Sequence, residues 1–236
     1  MLMQLRSMKK FNLCIIFNLL KMKKLSSNTE KIEVYDLSGN FIYIQDRKQF
    51  YEENIKEFLE KGYISRKTKT IRALLMTSKG DIYIQKRSYS KNENPGLYDK
   101  AFGGHVVAGN SFGLTVMKEC IEELGFTSIV VSKKEFRNAI NIFDLEKIGI
   151  FKKIDHLNNF NTRRIINCND YYIQPLINDM YIGYYDGSIK FSDGECCGIE
   201  ILSLDRLKNE ISNDPNRFTE DLIWMINEYQ DFIIHA

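Results

Sequence analysis

The chain has 236 residues, 44% of them hydrophobic and 27% charged, which is room for one large domain or two small ones. Lysine and arginine number 33 against 31 aspartate and glutamate, a formal net charge of +2, and this balance argues against a chain built mainly to grip nucleic acid. Only 3 prolines and 14 glycines exclude a collagen-like or proline-rich disordered chain.

Lys9 and Lys10 precede an apolar run, Phe11 to Leu20, of about half the ~20 residues that a bilayer-spanning helix needs. No small-x-small cleavage site follows it; Lys21-Met22-Lys23-Lys24 does. The residues before Met22 are expected to be an upstream extension with the functional start at Met22, the alternatives being an interfacial or targeting segment or an ordered helix; residues 1–30 are set apart from a single domain at residues 31–236. The five cysteines, Cys14, Cys120, Cys168, Cys196 and Cys197, form no CxxC pair and read as free thiols in a reducing cytoplasm.

Residues 32–36 and 41–45 flank Leu37-Ser38-Gly39-Asn40 and predict a hairpin. Arg47 to Lys61 predicts a helix with Tyr51, Ile55, Phe58 and Leu59 on one face, stopped by Gly62. A second hairpin is expected at Thr70–Met76 and Asp81–Gln85, turning at Ser78-Lys79-Gly80. Leu114 to Leu124 carries Leu114, Met117, Ile121 and Leu124 at helical steps, with Ser111 as N-cap and Gly125 as stop. Further strands are expected at Glu135–Phe143, Tyr171–Ile177, Tyr181–Tyr185 and Ile199–Leu202, a loop at Asn158–Asn161, and helices at Leu204–Ile211 and Thr219–Phe232. This order predicts an α+β domain with a mixed sheet.

The chemistry is concentrated around the third helix. Ahead of it stands Gly103-Gly104-His105, and near its end Glu119, Glu122 and Glu123 are spaced i, i+3 and i+4. One helical turn sets the three carboxylates side by side, on the face expected to lie opposite the buried stripe. Like charges this close repel by a few tenths of a kcal/mol per exposed pair. A hard divalent cation with oxygen ligands would offset that repulsion; the other reading is a solvated acidic face.

Gly104 to Phe126 resembles the signature of the Nudix family, G-x5-E-x7-R-E-U-x-E-E-x-G-U, with U a bulky aliphatic residue. The register holds without a gap. Asn110 stands for the first glutamate, Lys118 for the arginine, and Cys120 and Phe126 at U positions. The resemblance implies an α/β/α sandwich with a mixed central sheet, carrying here an N-terminal hairpin-helix extension. It implies metal binding by Glu119, Glu122 and Glu123, with magnesium as the cation and manganese as the alternative.

Beyond the box, Val34-Tyr35-Asp36, Gln85-Lys86-Arg87-Ser88, Lys91 and Pro95–Asp99 resemble Nudix proteins related to isopentenyl-diphosphate isomerase. That likeness makes Arg87 and Lys91 phosphate-contact candidates, with two solvated cations as the plain alternative. Isomerase activity is disfavoured, because Gly103 stands where the isomerase has its cysteine and no histidine lies upstream of the box. His105 matches a metal-binding histidine of that enzyme, or is a loop histidine bonded to backbone. Glu195 is the candidate catalytic base or further ligand, with Glu200 behind it. Gly103 and Gly104 would let backbone approach a substrate closely.

The implied activity is metal-dependent cleavage of a diphosphate bond in a nucleoside diphosphate-linked or similar organic diphosphate. The alternative is a module, weakened by Asn110 and Lys118, that binds a diphosphate without turnover. Partners are expected to be a small-molecule diphosphate rather than nucleic acid or membrane, and a shared sheet edge would support a homodimer. Tyr171, Tyr172, Tyr181, Tyr184 and Tyr185 line a pocket or are half-buried strand residues. Arg66, Lys67, Lys69 and Arg72 read as solvated cations at a strand entry.

Overall fold

The structure, a computed structural model, describes residues 30–91, 93–165, 171–191 and 194–234. The expected N-terminal extension, its apolar run, and Cys14, Cys168 and Asp193 lie outside the described residues. In chain order the elements are β1 (Lys31–Asp36), β2 (Phe41–Asp46), α1 (Arg47–Lys61), β3 (Arg66–Met76), β4 (Ile82–Arg87), β5 (Tyr98–Lys100) and β6 (Phe102–His105). There follow α2 (Phe112–Glu122), β7 (Thr127–Val131), α3 (Phe136–Ile142), β8 (Ile148–Ile165), β9 (Tyr171–Tyr184), β10 (Cys196–Leu202), α4 (Leu204–Asn213) and α5 (Glu220–Tyr229). No helix among them is long and apolar enough to cross a membrane.

The ten strands form one mixed sheet with the path β10-β4-β3-β9-β8-β7. Strand β3 is its axis. One edge pairs in parallel with β9 from Thr68–Leu176 to Met76–Tyr184. The other edge is shared in succession by β1, β6 and β4, all antiparallel. Such a strand is covered on both faces, and β3 is buried from Ile71 to Met76, Arg72 included.

Alternate residues of β3 feed two cores. Ile71, Ala73 and Leu75 pack with Val116, Cys120 and Leu124 of α2. Leu74 and Met76 pack with Phe136 of α3, Leu207 of α4, and Leu222 and Met225 of α5. Helices therefore cover both faces, the expected α/β/α layering. A smaller cluster of Ile32, Val34 and Phe50 ties α1 to the first hairpin.

Both hairpins form where expected. Helix α1 runs between its predicted ends: the Asp46 side chain accepts from the Gln49 N–H at 3.1 Å, and Gly62, at φ +78°, donates to the Phe58 carbonyl at 2.7 Å. Its buried face differs, however. Phe50 and Asn54 turn inward while Leu59 is 68% exposed, because Asn54 donates to Gln174 of β9 at 2.9 Å.

Three further expectations are corrected. The predicted strand at Glu135–Phe143 is helix α3, in which Phe136 and Ala139 are buried at helical spacing; alternating Ile140 and Ile142 mimic a strand period. Asn158–Asn161 lies inside β8, where the register shifts between Leu157 and Phe160. This bulge is held by Lys67, whose ammonium donates to the Asn158 carbonyl at 2.6 Å, the Asn159 side chain at 2.8 Å and the Leu37 carbonyl at 2.9 Å. Finally, the two strands expected at 171–177 and 181–185 are one. Pro175 is tolerated there because β9 is paired only with β8 at that point, β3 joining at Leu176.

The cations of β3 are not solvated. Arg66 meets Glu53 at 2.8 Å and Lys69 meets Glu33 at 2.9 Å. Arg72 is buried, donating to Asp221 of α5 at 2.8 and 2.9 Å and to Asn178 at 2.7 Å. Lys100 also faces Asp221, at 3.5 Å. Removing one partner of such a buried pair strands the other charge. Asp221→Ala is expected to destabilise the fold by about 3–5 kcal/mol, read as a lower urea midpoint at unchanged slope.

Glu53 supplies a pH prediction. Hydrogen bonds from Gln45 and Arg66 lower its carboxyl to about 2. A depressed folded pKa contributes stability above the unfolded carboxylate range and loses it as pH falls toward the folded value. The melting temperature should therefore drop between about pH 4.5 and 2, with a shallower drop in Glu53→Gln.

Candidate active site

Strand β6 lies against β3 with Gly104 opposite Ile71, Gly103 opposite Arg72 and His105 opposite Thr70. The two glycines thus present to opposite faces of the sheet. After β6 the chain is pinned by backbone bonds: Val106 N–H to the Lys69 carbonyl at 3.0 Å and Ala108 N–H to the Lys31 carbonyl at 2.8 Å. It turns through Gly109, at φ +84°, and enters α2. Ser111 caps the helix, accepting from the Leu114 N–H at 3.1 Å, and Gly125, at φ +73°, follows its end.

The side of α2 that packs inward is Thr115, Val116, Glu119 and Cys120. The expected stripe is offset from it: Leu124 is buried, whereas Leu114, Met117 and Ile121 are only partly so. Glu119 accordingly is not on the solvent face. A Cβ built on Gly104 would lie 2.4 Å from Glu119 Oε1 and 2.6 Å from its Cδ. The carboxylate therefore rests directly on the Gly104 backbone, in space that only glycine leaves free.

The other two box carboxylates remain accessible. Glu122 is exposed, with Lys118 Nζ at 3.3 Å one turn before it. Glu123 is half-buried at the helix end, donating its N–H to the Glu119 carbonyl at 2.8 Å. Cys120 is a packing residue whose thiol is pushed well up by burial.

Among the described residues no three histidine, cysteine, aspartate or glutamate side chains form a ready metal cage. That is compatible with magnesium or manganese, because a hard cation of this kind binds through one or two carboxylates and takes water and substrate phosphate for the rest. The all-oxygen donor set of Glu119, Glu122 and Glu123 has the right chemistry for it.

The remaining candidates cluster at the β4–β5 and β9–β10 connections. Lys91 and Glu195 form an ion pair, and the Glu195 carbonyl accepts from the Ser88 N–H at 2.9 Å. Arg87 is engaged within the protein: it donates to the Glu93 carbonyl at 2.9 and 3.2 Å and to Asp99 at 3.2 Å. The path into Glu195 passes the end of α2, where Lys190 N–H donates to the Leu124 carbonyl at 2.9 Å. Glu195 follows Lys190 by five positions, at most ~17 Å of chain. Glu200 is occupied by the Tyr98 hydroxyl.

The reading of His105 as a loop histidine bonded to backbone is corrected. It lies on a strand, and its Nε2 is 2.5 Å from the Tyr51 hydroxyl. Burial, reinforced by Arg47, Arg164 and Arg72, holds its pKa well below the ordinary value, so the imidazole is neutral. A Cβ at Gly103 would meet the Ile71 carbonyl and Lys100 Cε, each at 3.0 Å. Of the five tyrosines, Tyr172, Tyr181, Tyr184 and Tyr185 are core residues and only Tyr171 is exposed.

One contact has no signal in the sequence. Glu33 of β1 accepts from the Gly109 N–H at 3.2 Å, bringing an acidic side chain onto the box loop from 76 residues away. A second is the buried Asp179, which holds His156 Nδ1 at 2.5 Å and Lys153 at 3.3 Å.

One relative, the uncharacterized Nudix hydrolase PA4841 of Pseudomonas aeruginosa, is 39% identical over 75 residues, covering 32% of this chain. The match spans 43% of that relative, less than half its length. Among solved structures, DR0079 from Deinococcus radiodurans aligns with a TM-score of 0.56 at 16% identity, over 84% of this chain and 98% of that one, a likeness of fold. The NUDIX domain of Shewanella oneidensis NrtR, solved with ADP ribose, aligns with a TM-score of 0.47 at 12% identity, over 75% of this chain and 97% of that one. No protein-family model matches the chain.

The seat of Glu119 on Gly104 is open to a direct test. Gly104→Ala must push that carboxylate aside while leaving the backbone its ordinary β conformation. Affinity for magnesium or manganese, by isothermal titration, should fall by about 10–100-fold with the urea midpoint little changed; an unaltered affinity would show that Glu119 takes no part in binding.

Proposed function

We propose that the chain is a Nudix protein and a metal-dependent pyrophosphohydrolase, a reading supported by its likeness to a Nudix hydrolase over 75 residues and by its fold. Its substrate class is a nucleoside diphosphate-linked or similar organic diphosphate. The observation that carries this reading is the box itself: Glu119 seated on the Gly104 backbone, with Glu122 and Glu123 one turn further along the same helix.

Glu119, Glu122 and Glu123 would hold the cation. When bound, it supplies positive charge for the diphosphate oxygens and acidifies water. The chain's own groups do the rest. Glu195, paired with Lys91, takes the proton of the attacking water. Lys91, partly exposed, meets the phosphate and stabilises charge on the leaving group. Arg87 joins it there while fixing the loop that carries Lys91 through the Glu93 carbonyl. Gly104 leaves free the space in which the Glu119 carboxylate is seated.

A second reading has its own observation. Lys118 sits by Glu122 at 3.3 Å and cannot reproduce the planar fork of an arginine, while Asn110 is uncharged. A module that binds a diphosphate without cleaving it would show these same changes. The double substitution Asn110→Glu with Lys118→Arg should then create turnover, whereas in a working hydrolase it changes little.

The test is phosphate or nucleotide release from a panel of nucleoside triphosphates, nucleotide sugars, dinucleotides and isopentenyl diphosphate, with and without magnesium. Hydrolysis should require the metal and fall on the order of 100-fold or more in Glu122→Gln. Magnesium-dependent binding with no release from any member would move the protein to the second reading.

A further inference from the structure

The box loop between Gly104 and Ser111 is held by an element outside the box. Strand β1 pairs with it through the Ile32–Val107 bridge and the Lys31 carbonyl. From the same strand Glu33 reaches the loop's turn. Its Oε1 accepts from the Gly109 N–H at 3.2 Å, and its Oε2 accepts from Lys69 Nζ at 2.9 Å and from the Tyr35 hydroxyl. Lys69 in turn lies 4.7 Å over the Tyr35 ring and 5.9 Å over the ring of Phe112, the first residue of α2. The Glu33 side chain is 20% exposed, and burial, which alone would raise its pKa, is outweighed by these three donors, so it is lowered.

Position 110 is where this chain departs from the box signature. Asn110 has no charge, and its backbone N–H closes the turn onto the Val107 carbonyl at 2.9 Å. A carboxylate nevertheless meets the loop, one residue earlier and from another strand.

We propose that Glu33 is a positioning residue for the box: from the N-terminal hairpin it supplies to the loop the carboxylate that Asn110 lacks. The loop has Glu119's two supports at its ends, the Gly104 backbone and the Ser111-capped start of α2. Fixing Gly109 between them fixes the seat of Glu119. Charge-assisted bonds to backbone N–H and ammonium are about twice as strong as neutral ones, so a carboxylate does this better than an amide. The effect on turnover rests on the hydrolase reading above; the effect on the loop does not.

The test compares the wild type, Glu33→Gln, and Glu33→Gln with Asn110→Glu. Amide hydrogen exchange over residues 106–112 is measured in metal-free protein, alongside kcat and KM for the diphosphate that the wild type cleaves. In Glu33→Gln, exchange over the loop should quicken by about 10- to 100-fold, and kcat should fall in the same range with KM nearly constant. Adding Asn110→Glu should return both toward wild type. If Glu33 only pins the hairpin, exchange rises across residues 31–46, the melting temperature falls, and Asn110→Glu restores nothing; that result overturns the proposal. Should the wild type cleave no diphosphate, the hydrolase reading fails by itself. The exchange comparison then decides: loop protection lost and regained supports the role of Glu33, and unchanged protection refutes it.

Discussion

The parallel pairing of β3 with β9 is the constraint from which the rest of the molecule hangs. With one edge committed to β9, β3 offers its other edge to three partners in turn, β1, β6 and β4. This sharing brings the N-terminal hairpin, the Gly103-Gly104 strand and the β4–β5 connection into one neighbourhood. Its pleat then decides which face each residue serves: Ile71 and the backbone of Gly104 face the box helix, while Arg72 turns to α5.

Both faces carry an apolar core, and the α5 side adds a run of charges. Under α2 the inward side chains are apolar apart from Thr115 and Glu119. On the α5 side a chain of charges, Arg72, Asp221, Lys100, Asp99 and Arg87, crosses from β3 to the base of the β4–β5 loop. Attraction from Arg72 and Lys100 overrides burial and keeps Asp221 ionised far below the usual carboxylate range. Thr219 of the last helix cap donates to Asp99 at 2.7 Å, so the C-terminal helix helps fix the strand from which the loop bearing Lys91 springs.

Much of this was legible in the sequence where the signal is local. Caps and stops placed α1 and α2 to within two residues, and Gly-rich turns placed both hairpins. The box register identified three carboxylates and the glycine beneath one of them. What failed depends on distant partners. The buried side of α2 is turned from the apolar stripe because a carboxylate, which no hydrophobic pattern counts as core, is seated inward. The Asn158-Asn159 pair reads as loop until Lys67, 91 residues earlier, is seen to satisfy it within a strand. Arg87 ends β4 and Lys91 lies in the loop after it, yet the first donates to the Glu93 carbonyl and Asp99 while the second pairs with Glu195, a division that spacing cannot express. Glu33 carries no motif, and only the fold brings it to the box.

The central strand pair has a consequence for how the protein is made. Thr70 and Asn178, bonded across β3 and β9, are 108 residues apart. At about 5–20 residues per second of synthesis, β3 waits roughly 5–20 s for the partner that closes its second edge. Its other edge can be covered almost at once by β1, β4 and β6, whose chain neighbours it. The nascent domain is thus a half-sheet with one apolar strand edge open, the kind of surface that invites pairing between chains. Such distant pairing is also slow to form after release, and the floor beneath the box becomes rigid only when β9 arrives.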